Sequence, residues 1–366
     1  MSALSWENVL VLQTSFLGDT VLTLPLIDEL KRRFPIKKLT VLCRPLSREL
    51  LQDHPAIDEI IIDDKRKAHR GMSGMLRQAG ALKTRGFTVA LTPHKSLRSA
   101  LLLFLAGIPI RIGFRESCGW FLFQRLAERD PARHDVERNL SVLQAFGVRV
   151  EECQRAIELP VNATTRQIVD HKLRGLGMTE DKLTIGVNPG SVWPTKRWSP
   201  AGFAELIGML RQKFDCQVLL FGGSEDAAVV DDVQKRCGRV AISLVSHIDL
   251  HELPAAISRC AVFVTNDSGP MHIAVARKVP VVAIFCATTP SLGFYPYSSK
   301  AIVVEKNLIC RPCASHGGRR CPLNTEDCIR QIGPKHVLDA VAKLLDPDRS
   351  DFASLQQSFR PEFVSV

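Results

Sequence analysis

Twice along this 366-residue chain, short apolar or β-branched runs alternate with stretches of helical length and period. That alternation constrains the fold more than any other feature, because strand–helix–strand repeats form parallel sheets covered on both faces by helices. The first series predicts strands over 8–13, 38–43, 59–62 and 87–91, with helices over 19–34 and 96–106. The second predicts strands over 183–188, 216–221, 261–266 and 279–285. Its helices fall over 200–213, 224–237, 250–259 and 270–277, and the polar stretch 161–182 reads as a crossing between the two series. The expected class is α/β: two Rossmann-like units over 1–165 and 166–345, then a tail over 346–366. In such sheets ligands bind beyond the carboxyl ends of the strands. Four loops therefore matter most, those after Gln13, Asn188, Phe221 and Asn266.

Composition excludes several classes. Apolar residues make up 45% and charged residues 23%, which is globular rather than disordered or fibrous. The longest apolar run, 100–110, is broken by Gly107 and Pro109 and falls short of the about 20 residues that span a bilayer. The apolar run at 9–12 is too short for a secretory leader, so a cytosolic location is expected. The net charge of +10 divides into +6 over 1–160 and +4 beyond, a mild excess suited to an anionic substrate or membrane surface. Nucleic acid fits poorly: there are two Tyr and four Trp, and no basic block is interleaved with aromatics.

Each loop has a bland and a chemical reading. In Ser15-Phe16-Leu17-Gly18-Asp19, the carboxylate of Asp19 either caps the following helix or serves as a general base at a strand's carboxyl end. Asn188-Pro189-Gly190-Ser191, followed by Thr195-Lys196-Arg197-Trp198, is a solvated turn or a phosphate-holding loop. It lacks the spacing of a Walker loop. In Phe221-Gly222-Gly223-Ser224-Glu225-Asp226 the acids either favour the helix dipole or bind a ribose diol. Asn266-Asp267-Ser268-Gly269-Pro270-Met271-His272 runs straight from a buried strand into a helix, whose amides make a diphosphate site. His272 there is either structural or, one turn from Ser268, part of that site.

These four motifs in this order resemble glycosyltransferase family 9, the ADP-heptose:lipopolysaccharide heptosyltransferases, and within it the heptosyltransferase II group; the likeness covers about residues 8–345. The resemblance implies a GT-B fold, two Rossmann-like domains with parallel sheets facing a central cleft, acceptor on the N-terminal side and donor on the C-terminal side. It implies inverting transfer of L-glycero-D-manno-heptose from ADP-heptose to the inner core of lipopolysaccharide, heptosyl-Kdo2-lipid A in particular, with no cofactor required for catalysis. By motif match Asp19 is the base. Ser191, Lys196, Ser268, Gly269 and His272 bind the donor diphosphate, Glu225 the ribose and Asp267 the heptose hydroxyls, with Thr195 also on the donor. The expected partners are ADP-heptose, the lipid A-linked oligosaccharide and the cytoplasmic face of the inner membrane, where the protein would be peripheral.

The only D-x-D triplet, Asp346-Pro347-Asp348, lies in the polar tail, a poor place for a catalytic metal. For the acceptor, Lys65 and Arg66 in one cationic loop and Arg111 and Arg115 in another are candidates, set against the reading of solvated charged loops. Cys310-x2-Cys313-x7-Cys321-x6-Cys328 carries one C-x2-C metal spacing. It is open to a structural zinc or iron, to free thiols, or to redox-linked disulfides. Three rivals share some features: a GT-B-like sugar-nucleotide epimerase, a family member acting on a protein acceptor or another surface glycan, and a zinc-ribbon interaction protein.

Overall fold

The computed structural model describes residues 5–348 and 359–366. The chain divides into two units, Met1–Pro160 and Val161–Val366.

The first unit runs β1 (Asn8–Gln13), α1 (Leu17–Leu22), α2 (Leu24–Arg33), β2 (Lys38–Cys43), α3 (Pro45–Leu51), β3 (Glu59–Ile62), α4 (Gly71–Lys83), β4 (Val89–Leu91), α5 (Leu97–Leu105), β5 (Ile110–Phe114), β6 (Arg125–Ala127) and α6 (Asp135–Leu140). Its six strands lie in the order β3-β2-β1-β4-β5-β6, all parallel. The order reverses between β1 and β4, which opens a crevice at the carboxyl edge. The helix expected over 19–34 is two helices. Pro25 in the first turn of α2 has no amide hydrogen to continue the ladder. Thr23 closes the break by donating to the Asp19 carbonyl (2.8 Å) and accepting from Gln13 (2.6 Å).

The second unit runs α7 (Ala163–Gly175), β7 (Thr184–Asn188), α8 (Pro200–Phe214), β8 (Gln217–Leu220), α9 (Ala227–Arg236), β9 (Ile242–Ser243), α10 (Leu253–Ile257), β10 (Val262–Asn266), α11 (Gly269–Ala276), β11 (Val281–Phe285), β12 (Ala301–Glu305), α12 (Asp327–Arg330), α13 (Pro334–Leu345) and β13 (Glu362–Ser365). Seven parallel strands lie in the order β13-β12-β11-β10-β7-β8-β9. The stretch expected as a polar crossing holds α7, amphipathic through buried Thr165, Val169 and Leu173. The end of the supposed tail is β13, which completes the sheet edge beside β12.

β7, β10 and β11 are buried along their whole length, as expected of central parallel strands. Trp198 is the largest fully buried side chain; it meets Phe203 edge-to-face at 4.9 Å and donates its indole N–H to the Ile332 carbonyl (2.9 Å). Burying an aromatic of this size contributes roughly 3 kcal/mol, and here it anchors the loop after β7 to the α13 side of the core.

Candidate active site

In the second unit the sheet order switches between β7 and β10, and the loops after these two strands flank the crevice. Buried polar side chains tie them together. Asn266 donates to the Pro189 carbonyl (2.8 Å) and accepts the Trp198 amide (2.9 Å). Asn188 donates to Thr265 (3.1 Å) and Ser268 (3.3 Å). The Ser191 hydroxyl donates to the Asp267 carbonyl at 3.4 Å.

At the start of α11, Lys196 Nζ lies 2.6 Å from Asp267 Oδ2, and Thr288 donates to the same oxygen at 2.7 Å. The pair is largely buried, so water screens it weakly. Two residues read separately from sequence, one for phosphate and one for sugar, are thus direct partners. His272 is buried in the same crevice, with no hydrogen-bond partner on Nδ1. Burial pushes its imidazole down to about 4; the Asp267 carboxylate opposes this and the Lys196 charge adds to it, so the ring is neutral at pH 7.

Thr195 is placed differently from the expectation. Its hydroxyl is held by Gly318, accepting from the amide (2.8 Å) and donating to the carbonyl (3.0 Å). The loop after β12 therefore folds over the 194–196 turn. Gly317, at φ +81°, lies so close that a Cβ would come within 2.8 Å of Lys196 Cγ. Glu225 is exposed in the short turn that follows β8. Its neighbour Asp226, absent from the sequence-derived set, packs against Gly190, where any Cβ would collide with the carboxylate. Desolvation raises the Asp226 pKa, and Arg197 lies 3.8 Å away. Gly269 is the first residue of α11, with Ser268 as its N-cap.

In the first unit, Asp19 is the third residue of α1 rather than its N-cap, which is Phe16; from inside the first turn its Oδ2 accepts the Phe16 amide at 3.0 Å. Asp19 also has a neighbour that sequence reasoning missed. Asp135, buried between Arg129 (2.6 Å) and Arg138 (3.7 Å), is pushed up to about 6 by desolvation; Arg129 counters this and the charge of Asp19 adds to it. His94, bonded to Gln13 Oε1, is driven down to about 3 by burial.

The acceptor candidates separate. Lys65 donates to the Thr14 carbonyl at 3.4 Å; desolvation brings its ammonium down to about 8, with Asp63 opposing and Arg98 and Arg44 adding. Arg66 and Arg115 are exposed. Arg111 is a correction to the expected loop cation. It lies on β5, is buried, donates to the carbonyls of Leu122 (2.8 Å) and Ile108, and stacks on Phe104. Its charge is spent on backbone.

The four clustered cysteines are graded in exposure: Cys310 exposed, Cys313 and Cys321 half-buried, Cys328 buried; all eleven cysteines are free thiols. Among the described residues no three His, Cys, Asp or Glu side chains are grouped so as to hold a metal ion, and of the three readings of this cluster the arrangement does not support the structural zinc or iron.

Two parallel Rossmann-like sheets, one with an anion-suited crevice at its switch point, define the GT-B class of glycosyltransferases. The chain belongs to glycosyltransferase family 9 (heptosyltransferase), whose model matches residues 75–322. It is similar to lipooligosaccharide heptosyltransferase 2 of Haemophilus ducreyi, 27% identical over 81% of this chain and 88% of the relative. The structure of a family 9 glycosyltransferase from Veillonella parvula superposes with a TM-score of 0.82, at 25% identity over 94% of this chain and 98% of that one. Escherichia coli ADP-heptose heptosyltransferase II gives 0.75 at 25%, over 92% and 98%.

Proposed function

We propose that this protein is an inverting heptosyltransferase that moves L-glycero-D-manno-heptose from ADP-heptose to the inner core of lipopolysaccharide, with heptosyl-Kdo2-lipid A as acceptor, at the cytoplasmic face of the inner membrane. The reading is supported by family membership and by the names of the relatives. The single observation that carries it is the group at the start of α11: the Lys196–Asp267 pair at 2.6 Å beside His272, whose Nδ1 is buried without a partner. A helix N-terminus and a buried ammonium suit a diphosphate. A carboxylate alongside suits sugar hydroxyls.

In this mechanism the acceptor hydroxyl attacks the anomeric carbon from the face opposite ADP. The new C–O bond forms as the bond to the diphosphate oxygen breaks, which inverts the centre. Asp19 takes the hydroxyl proton. One of its oxygens is held by the Phe16 amide. Lys196 and the first turn of α11 stabilise the charge on departing ADP. Ser191 and Ser268 complete the diphosphate contacts, Glu225 holds the ribose, and Lys65, Arg66 and Arg115 meet acidic groups of the acceptor.

Purified protein incubated with ADP-heptose and defined truncated lipopolysaccharides tests this. ADP release that requires the heptosylated acceptor is expected. Release without any acceptor would favour hydrolase chemistry, an epimeric ADP-sugar without ADP release would favour an epimerase, and release only with a protein acceptor would replace the acceptor assignment.

A further inference from the structure

The basic excess is not evenly spread. Residues 65–125 contain twelve lysines and arginines and one acid, Glu116, so this sixth of the chain carries +11 and the remainder of the chain is close to neutral. The same segment contributes six of the large apolar side chains that stand exposed: Met72, Leu76, Leu97, Phe104, Trp120 and Phe121. α5, Leu-Arg-Ser-Ala-Leu-Leu-Leu-Phe-Leu, is apolar nearly all round. One side packs into the core through Ala100, Leu102 and Leu103, and the other presents Leu97 and Phe104 outward. A helix apolar on every side is normally covered on every side.

The exposed residues are neighbours. Gly119 sits so close to α5 that a Cβ there would lie 2.4 Å from Ala100 Cβ and 3.4 Å from Leu97 Cδ1. The Cys118 amide donates to the Lys95 carbonyl at 3.0 Å, fixing this loop against the start of α5. Trp120 and Phe121, 52% and 62% exposed, follow directly, edge-to-face at 6.0 Å. On the adjacent α4, Met72 and Leu76 are one turn apart on its outer side. Arg98, at the start of α5, donates to the His69 carbonyl (3.1 Å), which ties the two helix starts together at the edge that carries Lys65 and Arg66. Lys67, Arg70, Arg77 and Lys95 are exposed around them.

We propose that the outer face of α4, α5 and the 120–122 turn docks on an anionic lipid bilayer, with Trp120, Phe121 and Leu97 entering the headgroup region and the surrounding cations on the lipid phosphates. Trp and apolar side chains rimmed by Lys and Arg are the chemistry of an interfacial anchor. A second copy of the chain is disfavoured as the cover, because a two-fold contact would set one strongly basic face against another. The proposal specifies the membrane contact of the function given above, but it does not depend on which sugar is transferred. It places the candidate acceptor loop at 65–66 next to the surface from which a lipid-linked acceptor would rise.

Flotation of the full-length protein with phosphatidylglycerol/phosphatidylethanolamine vesicles tests it, with phosphatidylcholine vesicles as the neutral control. The wild type should float with the anionic vesicles, less so at high salt, and poorly with the neutral ones. Trp120→Ser combined with Phe121→Ser should lower vesicle partitioning at least about tenfold with an unchanged melting temperature, and Lys95→Glu should lower it less. Trp fluorescence should shift to the blue on anionic vesicles, and the shift should shrink in Trp120→Phe. Wild type that fails to float, floats equally with both vesicle types, or is matched by the double variant overturns the proposal. So does concentration-dependent dimerisation that the double variant abolishes, which would assign the face to a second copy. Heptosyl transfer to a delipidated acceptor is read in parallel: its loss in every variant, wild type included, would count against the function and leave the docking result standing.

Discussion

The carboxyl edges of the two sheets differ in how far their candidate site residues are buried. In the second unit the crevice is wired from within: Asn188, Thr265, Asn266, Asp267 and His272 are all buried, and four of them bond across loops. In the first unit the base candidate Asp19 is half-exposed and the cations Arg66 and Arg115 are exposed. The difference follows from what each edge is proposed to hold. A nucleotide diphosphate has fixed charge and shape, so fixed donors serve it best. A large, branched, charged acceptor is met by long side chains that keep their freedom.

The contrast can be broken at several points. The largest effect is expected from Asp19→Asn. An Asn side chain keeps an oxygen to accept the Phe16 amide, so the variant should fold and bind ADP-heptose like the wild type, while turnover falls at least about 10²-fold. Near-full turnover would leave Asp19 as a cap and nothing more. Asn266→Ala removes both ends of a buried bridge and strands the Pro189 carbonyl and the Trp198 amide. At about 1–3 kcal/mol for each orphaned group, the second unit should melt several degrees lower. Lys196→Ala should weaken donor binding by roughly 1.5–3 kcal/mol, or about 10- to 150-fold, measurable by calorimetry with ADP-heptose, and leave acceptor affinity unchanged.

A smaller effect is a pH dependence that His272 adds in the second unit, beside the one that buried His94 brings to the first. Burial holds the folded His272 imidazole down to about 4, below its ordinary 6.5. Between those values the unfolded chain binds the extra proton, so stability is complete above about pH 6.5 and falls as the pH drops toward 4, by about 1.4 kcal/mol per pH unit at most. His272→Gln should flatten that slope in denaturant titrations, and an unchanged slope would place the titration elsewhere. The smallest effect sharpens the acceptor edge. Arg66→Ala should raise the KM for acceptor a few-fold at constant melting temperature, as for an exposed charge. Arg111→Met should do the reverse, because its guanidinium serves the Leu122 and Ile108 carbonyls.

Much of this contrast was legible in the sequence, and for a physical reason. The central strands are β-branched runs ended by Gly, Pro or Asn, and strand ends in parallel sheets are where chemistry sits. The loops at Asp19, Ser191, Glu225 and Asp267 could therefore be found by position alone. What was lost was whatever pattern could not carry. β6 has three residues and β12 a four-residue apolar core, too short for periodicity to register. β13 exists because β12 offers it an edge. α7 buries only Thr165, Val169 and Leu173, and its polar remainder hid that stripe. Pairings were lost in the same way. Thr288 meets Asp267, Gly318 holds Thr195, and Asp135 sits near Asp19 only once distant loops are folded together. Residue type placed Arg111 at the surface, and the packing of β5 placed it inside.

The measurement that bears most directly on the division between a wired donor edge and an open acceptor edge is hydrogen exchange of the full-length protein with and without ADP. Protection is expected over 188–198 and 265–272, where the amides of the β7 and β10 loops would meet the nucleotide, with the first unit's loops at 14–20 and 64–70 unchanged. Protection concentrated at 14–20 and 64–70 instead, with the second unit silent, would contradict the account and move the donor to the other sheet.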